Sequence, residues 1–261
     1  MLAGASSAAL LGLTRKSHAA DDKIFIGYWP IASGLPLHVG LERGIFKQAG
    51  LQVEGAKFAS AQQVAEAMIA GRIQGSANGT ASAALGLAEI ILEKNGIANP
   101  QVIELPVGQH VPALAAGQID AVYTLEPTGT AGRLKGISRV LETGVIAKYV
   151  LGDPDAPWFG GTASVTTAFL KEQPELAKRY IAAYTKAVGW VRSNPDESRT
   201  HLGGFTAIDP SLVKEVPLSG FTMYNEFKPS DIDYFQKFFD VFTERKIFNR
   251  RLDVKSLLYT A

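Results

Sequence analysis

Lys23-Ile24-Phe25-Ile26-Gly27-Tyr28 is the stretch from which the rest of the chain is best read. Its β-branched and aromatic residues predict a strand. Gly34-Leu35-Pro36 follows as a helix start, with Pro36 suited to the first turn, and that helix runs to about Gly44. The alternation then repeats. Leu51–Phe58 reads as a second strand. Ser60 caps a helix over Ala61–Ala70, whose apolar face is Val64, Ala67 and Met68, and Gly71 stops it. Ile73–Ala77 reads as a third strand, and Asn78-Gly79-Thr80 opens the next helix. Val102–Leu105 and Ile119–Thr124 read as two more strands, with a helix between them that ends at Gly117. Strands alternating with helices predict βαβ units and a mainly parallel α/β sheet.

The last third of the chain reads as mostly helical. Pro174-Glu175 starts a helix with Leu176, Tyr180, Tyr184, Val188 and Val191 on its apolar face, and Asn194-Pro195 ends it. Ser230-Asp231-Ile232-Asp233 resembles a capping box before a helix that carries Phe235, Phe238, Phe239 and Phe242 inward. Such aromatic stripes at helical spacing are core.

At 261 residues the chain is long enough for two lobes, and 46% hydrophobic with 20% charged residues is an ordinary globular composition. A net charge of +1 gives no broad field to attract nucleic acid. Cysteine is absent, which excludes disulfides, thiolate metal sites, a cysteine nucleophile and a cysteine-linked lipid anchor. Residues 1–20 read as a signal peptide: an apolar Leu2–Leu13, then Ser17-His18-Ala19 as a small-x-small cleavage pattern, with the basic n-region missing. His18, His38, His110 and His201 have no metal-ligand spacing, and no nucleophile elbow, Walker loop or dinucleotide fingerprint is present. No catalytic residue, metal or cofactor is expected.

Glu66-Ala67-Met68-Ile69-Ala70-Gly71-Arg72-Ile73-Gln74 is echoed by Pro112-Ala113-Leu114-Ala115-Ala116-Gly117-Gln118-Ile119-Asp120, in each case a helix end, a glycine stop and a strand. The echo suggests two lobes of like topology.

Several of these landmarks resemble a known family. Gly27-Tyr28-Trp29-Pro30 and Pro36-Leu37-His38-Val39-Gly40-Leu41-Glu42-Arg43-Gly44-Ile45-Phe46 are similar to the opening of the binding proteins that serve nitrate, sulfonate, taurine and bicarbonate importers, relatives of thiamine-precursor binders. Phe58-Ala59-Ser60, Ala115-Ala116-Gly117-Gln118-Ile119-Asp120-Ala121 with Glu126-Pro127, and Phe169-Leu170-Lys171-Glu172-Gln173-Pro174-Glu175 match its later landmarks in order. The resemblance implies a two-lobed periplasmic-binding-protein fold of type II. Lobe 1 is expected over 21–90 and 160–261, and lobe 2 over 91–159. It implies a periplasmic monomer without a membrane anchor that hands a small anion (a sulfonate, taurine, nitrate or similar) to an ABC permease. A binder of the thiamine-pyrimidine precursor, or an enzyme making it on the same fold, is the alternative. One departure is large. Ala88-Glu89-Ile90 runs straight into Ile91-Leu92-Glu93, where the family carries a further segment with the first hinge crossing and the opening strand of lobe 2. Gly71 and Gly117 lie only 46 residues apart. Lobe 2 is therefore expected to be incomplete.

Ligands of open α/β sheets sit beyond the C-terminal strand ends, where helix N-termini offer free N–H groups to an anion. The candidate ligand-binding residues are accordingly Trp29, Pro30 and Ser33 in the first loop, Ser60 and Gln62 after the second strand, and Asn78, Gly79 and Thr80 after the third. Thr124 and Glu126 are the candidates from lobe 2. Trp158-Phe159-Gly160-Gly161 reads as the return crossing, with its glycines as a hinge.

Overall fold

The computed structural model describes residues 23–79 and 84–260. The expected signal peptide and Thr80 lie outside them. The sheet has the order β2-β1-β3-β4. Strand β1 (Lys23–Tyr28) pairs in parallel with β2 (Gln52–Lys57) and with the short β3 (Gly75–Ser76), and β4 (Ser164–Val165) closes the far edge antiparallel to β3. The parallel reading thus holds for the first three strands, and the chain adds one antiparallel strand on its return.

The two faces of β1 follow from its period of two. Ile24, Ile26 and Tyr28 are buried on one face, against α1 (Leu35–Glu42), α2 (Ile45–Gln48) and α8 (Pro174–Ser193). Phe25 turns the other way, against Val64 and Ala67 of α3 (Ala61–Ile69) and against Ile73. Gly27 lies on that second face. A Cβ there would come within 2.6 Å of Ile73 and 3.0 Å of Val64, so the glycine lets α3 close onto the sheet. The α8 stripe is buried as its spacing predicts, through Leu176, Tyr180, Tyr184, Val188 and Val191. After α7 (Thr167–Glu172) and α8, the short helices α9 (Pro195–Thr200) and α10 (Leu202–Phe205) bring Leu202 and Phe205 into the same core.

A second cluster joins three distant parts of the chain. Leu87 and Ile90 of α4 (Ala84–Lys94) pack with Ile146, Val150 and Leu151 of a π-helical segment and with Phe238 and Phe242 of α11 (Pro229–Glu244). Helix α4 runs unbroken through Ile90–Ile91. The cap of α11 falls on Lys228, whose N–H donates to the Asp231 carboxylate at 2.9 Å, two residues ahead of the position read from the sequence.

The expected strands Val102–Leu105 and Ile119–Thr124 do not form. Between α4 and the return crossing stand a 3-10 turn (Val107–Gln109), the helices α5 (His110–Ala115) and α6 (Thr128–Leu134), the π-helical segment and chain without strand pairing. A strand needs a neighbouring edge to satisfy its backbone, and side-chain propensity does not supply one. His110 does part of that work. Its buried ring takes a hydrogen bond from the Thr124 hydroxyl at Nδ1 (2.9 Å) and gives one from Nε2 to the Leu105 carbonyl (3.0 Å), so both segments are tied to one imidazole. Burial pushes this imidazole below its ordinary value, with the Leu105 bond opposing, in keeping with a neutral ring.

His38 of α1 is buried in the first core, stacked on Phe205 at 3.7 Å and edge-on to Tyr28, and its Nε2 has no partner. Burial, with the nearby charges of His201 and Lys57, lowers its pKa from 6.5 to about 3. The unfolded chain takes up this proton near pH 6.5 and the folded chain does not. Stability should therefore fall as pH drops from 6.5 toward 3, by up to about 1.4 kcal/mol per pH unit. In His38→Leu this limb should flatten, with stability at pH 7.5 changed by less than about 1.5 kcal/mol. Urea unfolding of both proteins across that range checks this, and an unchanged acid limb would mean that other groups carry it.

Candidate functional site

The C-terminal ends of β1 and β3 are bound together by one side chain. Asn78 follows β3 and is fully buried. Its Oδ1 accepts from the Trp29 N–H at 3.3 Å and its Nδ2 donates to the Trp29 carbonyl at 2.8 Å. The Trp29 indole N–H donates to the Gly79 carbonyl at 3.0 Å. The Ser76 hydroxyl donates to the Asn78 carbonyl. Trp29 is thus held at its backbone and at its ring by the Asn78–Gly79 turn. The Asn78 amide has little left for a ligand: it holds the first loop in place.

Glycines permit the next contact. A Cβ on Gly79 would overlap the Gly160 carbonyl, and one on Gly160 would overlap the Trp158 ring. Gly161 lies against Ser33 in the same way, where a Cβ would come within 2.7 Å. The return crossing is therefore laid directly over the first loop and the β3 turn. Two buried hydrogen-bond donors of these segments have no partner among the described residues, the Ser33 hydroxyl of the first loop and the Trp158 indole N–H of the crossing, whose ring also packs toward Phe238. The first loop also reaches the chain beyond α5, for Ala32 N–H donates to the Glu126 carbonyl at 2.8 Å.

The remaining candidates bond locally. Ser60 caps α3 by accepting from Gln63 N–H at 3.3 Å, and exposed Gln62 donates to Glu66 at 3.0 Å. Thr124 is engaged by His110. The Glu126 carboxylate turns back to Thr130 N–H at 3.2 Å in the first turn of α6. Pro30 is half-buried in the first loop. The structure thus brings together Trp29, Ser33, Asn78, Gly79 and the Glu126 backbone, and leaves Ser60 and Gln62 bonded within their own helix. Trp158 is not among the candidate residues read from the sequence, which takes Trp158-Phe159-Gly160-Gly161 only as the return crossing. The Gly160-Gly161 pair after it was the available signal. Two cavities, of about 410 and 300 Å³, lie elsewhere, lined by α4 with residues 97–100 and by α7–α8 with the C-terminal residues. Among the described residues no group of three His, Cys, Asp or Glu side chains could hold a metal ion, and no helix is long and apolar enough to cross a membrane.

Comparison with known proteins agrees with this architecture. Residues 72–198 match the family described as NMT1/THI5 like, and residues 17–96 match the NMT1-like family. Together the two matches span residues 17–198. No curated protein matches it by sequence. Among solved structures it is similar to the ligand-binding component of an ABC-type import system from Staphylococcus aureus, crystallised with zinc bound. That match has a TM-score of 0.71 and 15% identity, covering 92% of this chain and 97% of the other. The alkanesulfonate-binding protein SsuA from Xanthomonas axonopodis pv. citri, bound to MOPS, matches with a TM-score of 0.69 and 16% identity over 92% and 99% of the two chains. The desulfurization enzyme DSZB has the same overall fold, with a TM-score of 0.56 and 11% identity over 90% and 96%. The chain thus has the periplasmic-binding-protein fold with a partial second lobe.

Asn78→Leu removes both bonds to Trp29 and leaves a backbone N–H and carbonyl without partners. It should cost about 2–4 kcal/mol. Asn78→Asp, which keeps the acceptor, should fall between Leu and the parent. Urea unfolding with an unchanged m-value is the check, and a Leu variant as stable as the parent would remove Asn78 from its holding role.

Proposed function

We propose that this chain is an extracytoplasmic solute-binding protein of an ABC importer for a small oxyanion of the sulfonate, taurine or nitrate type. The ligand site lies at the ends of β1 and β3, under the return crossing. The observation that carries this reading is the pair of enclosed donors, Ser33 Oγ–H and Trp158 Nε1–H, both without acceptors. A buried donor without an acceptor costs roughly 1–3 kcal/mol, and an acceptor-only oxyanion entering there would recover it. Helix α1 begins two residues beyond Ser33 and adds the partial positive charge of its N-terminus. The match of residues 72–198 to the NMT1/THI5-like family and the likeness to an alkanesulfonate-binding protein support the same ligand class. Trp29 and Gly79 line the site, and Asn78 positions them.

In this reading residues 21–90 and 160–261 form lobe 1 and residues 91–159 a reduced lobe 2. Ser60, Gln62, Thr124 and Glu126 are rim positions. The partner is the permease of the importer, the working state is a monomer in the periplasm, and the protein binds its solute without transforming it.

Thermal unfolding in the presence of taurine, alkanesulfonates, nitrate and bicarbonate tests the proposal. A true ligand at a hundred times its Kd should stabilise the protein by about 2.7 kcal/mol. Ser33→Ala and Trp158→Phe should each weaken binding about tenfold or more, since each removes a bond to a charged group. If none of these anions shifts the transition, the oxyanion reading fails. Appearance of a chemically altered product would replace a binder by an enzyme.

A further inference from the structure

The stretch from Thr128 to Leu141 contains Arg133, Lys135 and Arg139 and no Asp or Glu. All three cations are exposed, and none forms an ion pair among the described residues. The acids that flank the stretch in sequence, and Asp209, whose field reaches Lys135, are hydrogen-bonded to other groups. Glu126 bonds to Thr130 N–H in the first turn of α6. Glu142 is held by Lys148 at 2.5 Å and by the Tyr149 hydroxyl at 2.8 Å. Asp209, the acid that faces Lys135, accepts from the N–H and hydroxyl of Ser211 at 2.9 and 2.8 Å.

Aliphatic side chains stand between these cations and also face solvent. Ile137 is 37% exposed, Val140 48% and Leu141 73%. They follow Gly136, whose positive φ of 68° ends α6 and turns the chain outward. Cations interleaved with exposed aliphatic groups are the signature of an interfacial surface: the charges meet anionic headgroups and the alkyl groups enter the headgroup–acyl boundary. A nucleic-acid surface would need rings for base stacking, and residues 128–141 contain no aromatic residue.

We propose that residues 133–141 form a peripheral contact surface for membranes bearing anionic phospholipids. The proposal does not depend on the reading of the ligand site. It would hold the protein weakly and reversibly at the bilayer.

Co-sedimentation of the full chain with vesicles tests this. Binding should occur to vesicles of phosphatidylglycerol mixed with phosphatidylcholine, vanish on pure phosphatidylcholine, and weaken as salt is raised. Each charge removed should lower partitioning about fivefold, so that Arg133→Gln/Lys135→Gln/Arg139→Gln together lose about a hundredfold. A control with Arg72→Gln/Lys94→Gln/Arg250→Gln should bind like the parent. Because the chain has no cysteine, Leu141→Cys can carry an environment-sensitive fluorophore. It should shift to the blue on the anionic vesicles, and the same label at Ile69→Cys should not. The proposal is overturned if the two triple variants lose binding equally, if the neutral vesicles bind as well, or if the label at position 141 shifts only on self-association without vesicles.

Discussion

The two hydrogen bonds between the Asn78 side chain and the Trp29 backbone hold the candidate site together. β3 is only two residues long and contributes few ladder bonds to β1. The amide of Asn78 extends that pairing past the strand end, where the backbones diverge. Because Asn78 is fully buried, its bonds are made away from competing water and either partner would be costly to leave unsatisfied. Trp29, Gly79, the Gly160–Gly161 crossing and Ser33 all take their positions from that junction.

The junction also meets the hydrophobic core. Gly34 ends the first loop, and a Cβ there would come within 3.2 Å of the Asn78 amide and 3.6 Å of Phe205. Phe205 in turn stacks on His38 of α1. One packed path therefore runs from α10 through α1 to the first loop. Polar contacts reinforce it at the surface, the Arg43–Glu197 ion pair at 2.5 Å and the hydrogen bond between His201 Nδ1 and Glu42 at 2.5 Å. Exposed pairs of this kind contribute little each, so the weight falls on the buried rings.

The elements β1, α3 and α8 were largely legible from the sequence because their signals are local. Strand β1 was read to the residue, α3 with its Ser60 cap nearly so, and the α8 stripe was assigned to the core face it buries. What was not legible depends on partners distant in the chain. Asn78 reads as a helix opener, and nothing near it in sequence says that its amide is taken by Trp29. Glu126 reads as a rim carboxylate, and only the start of α6 shows what it bonds. The hydroxyl of Ser33 and the indole of Trp158 become informative only when the crossing is folded over them and their donors are found without acceptors.

The failure at Val102–Leu105 and Ile119–Thr124 has a different cause. Both have strand-forming side chains, and the residues flanking them fold as read, down to the positive φ of Gly117. What is missing is an edge. In βαβ architecture a strand joins a sheet whose first strand is already in place. With α4 running unbroken across Ile90–Ile91, no opening strand precedes Val102. Local propensity then has nothing to pair with, and the chain satisfies part of its backbone through His110 instead. The same loss leaves Ile103 61% exposed. In a two-lobed binder, affinity grows when a ligand bridging the lobes favours the closed state. A lobe without a sheet offers few fixed groups for that bridge, so in the binder proposed here the donors of the first loop and the return crossing would carry most of the recognition.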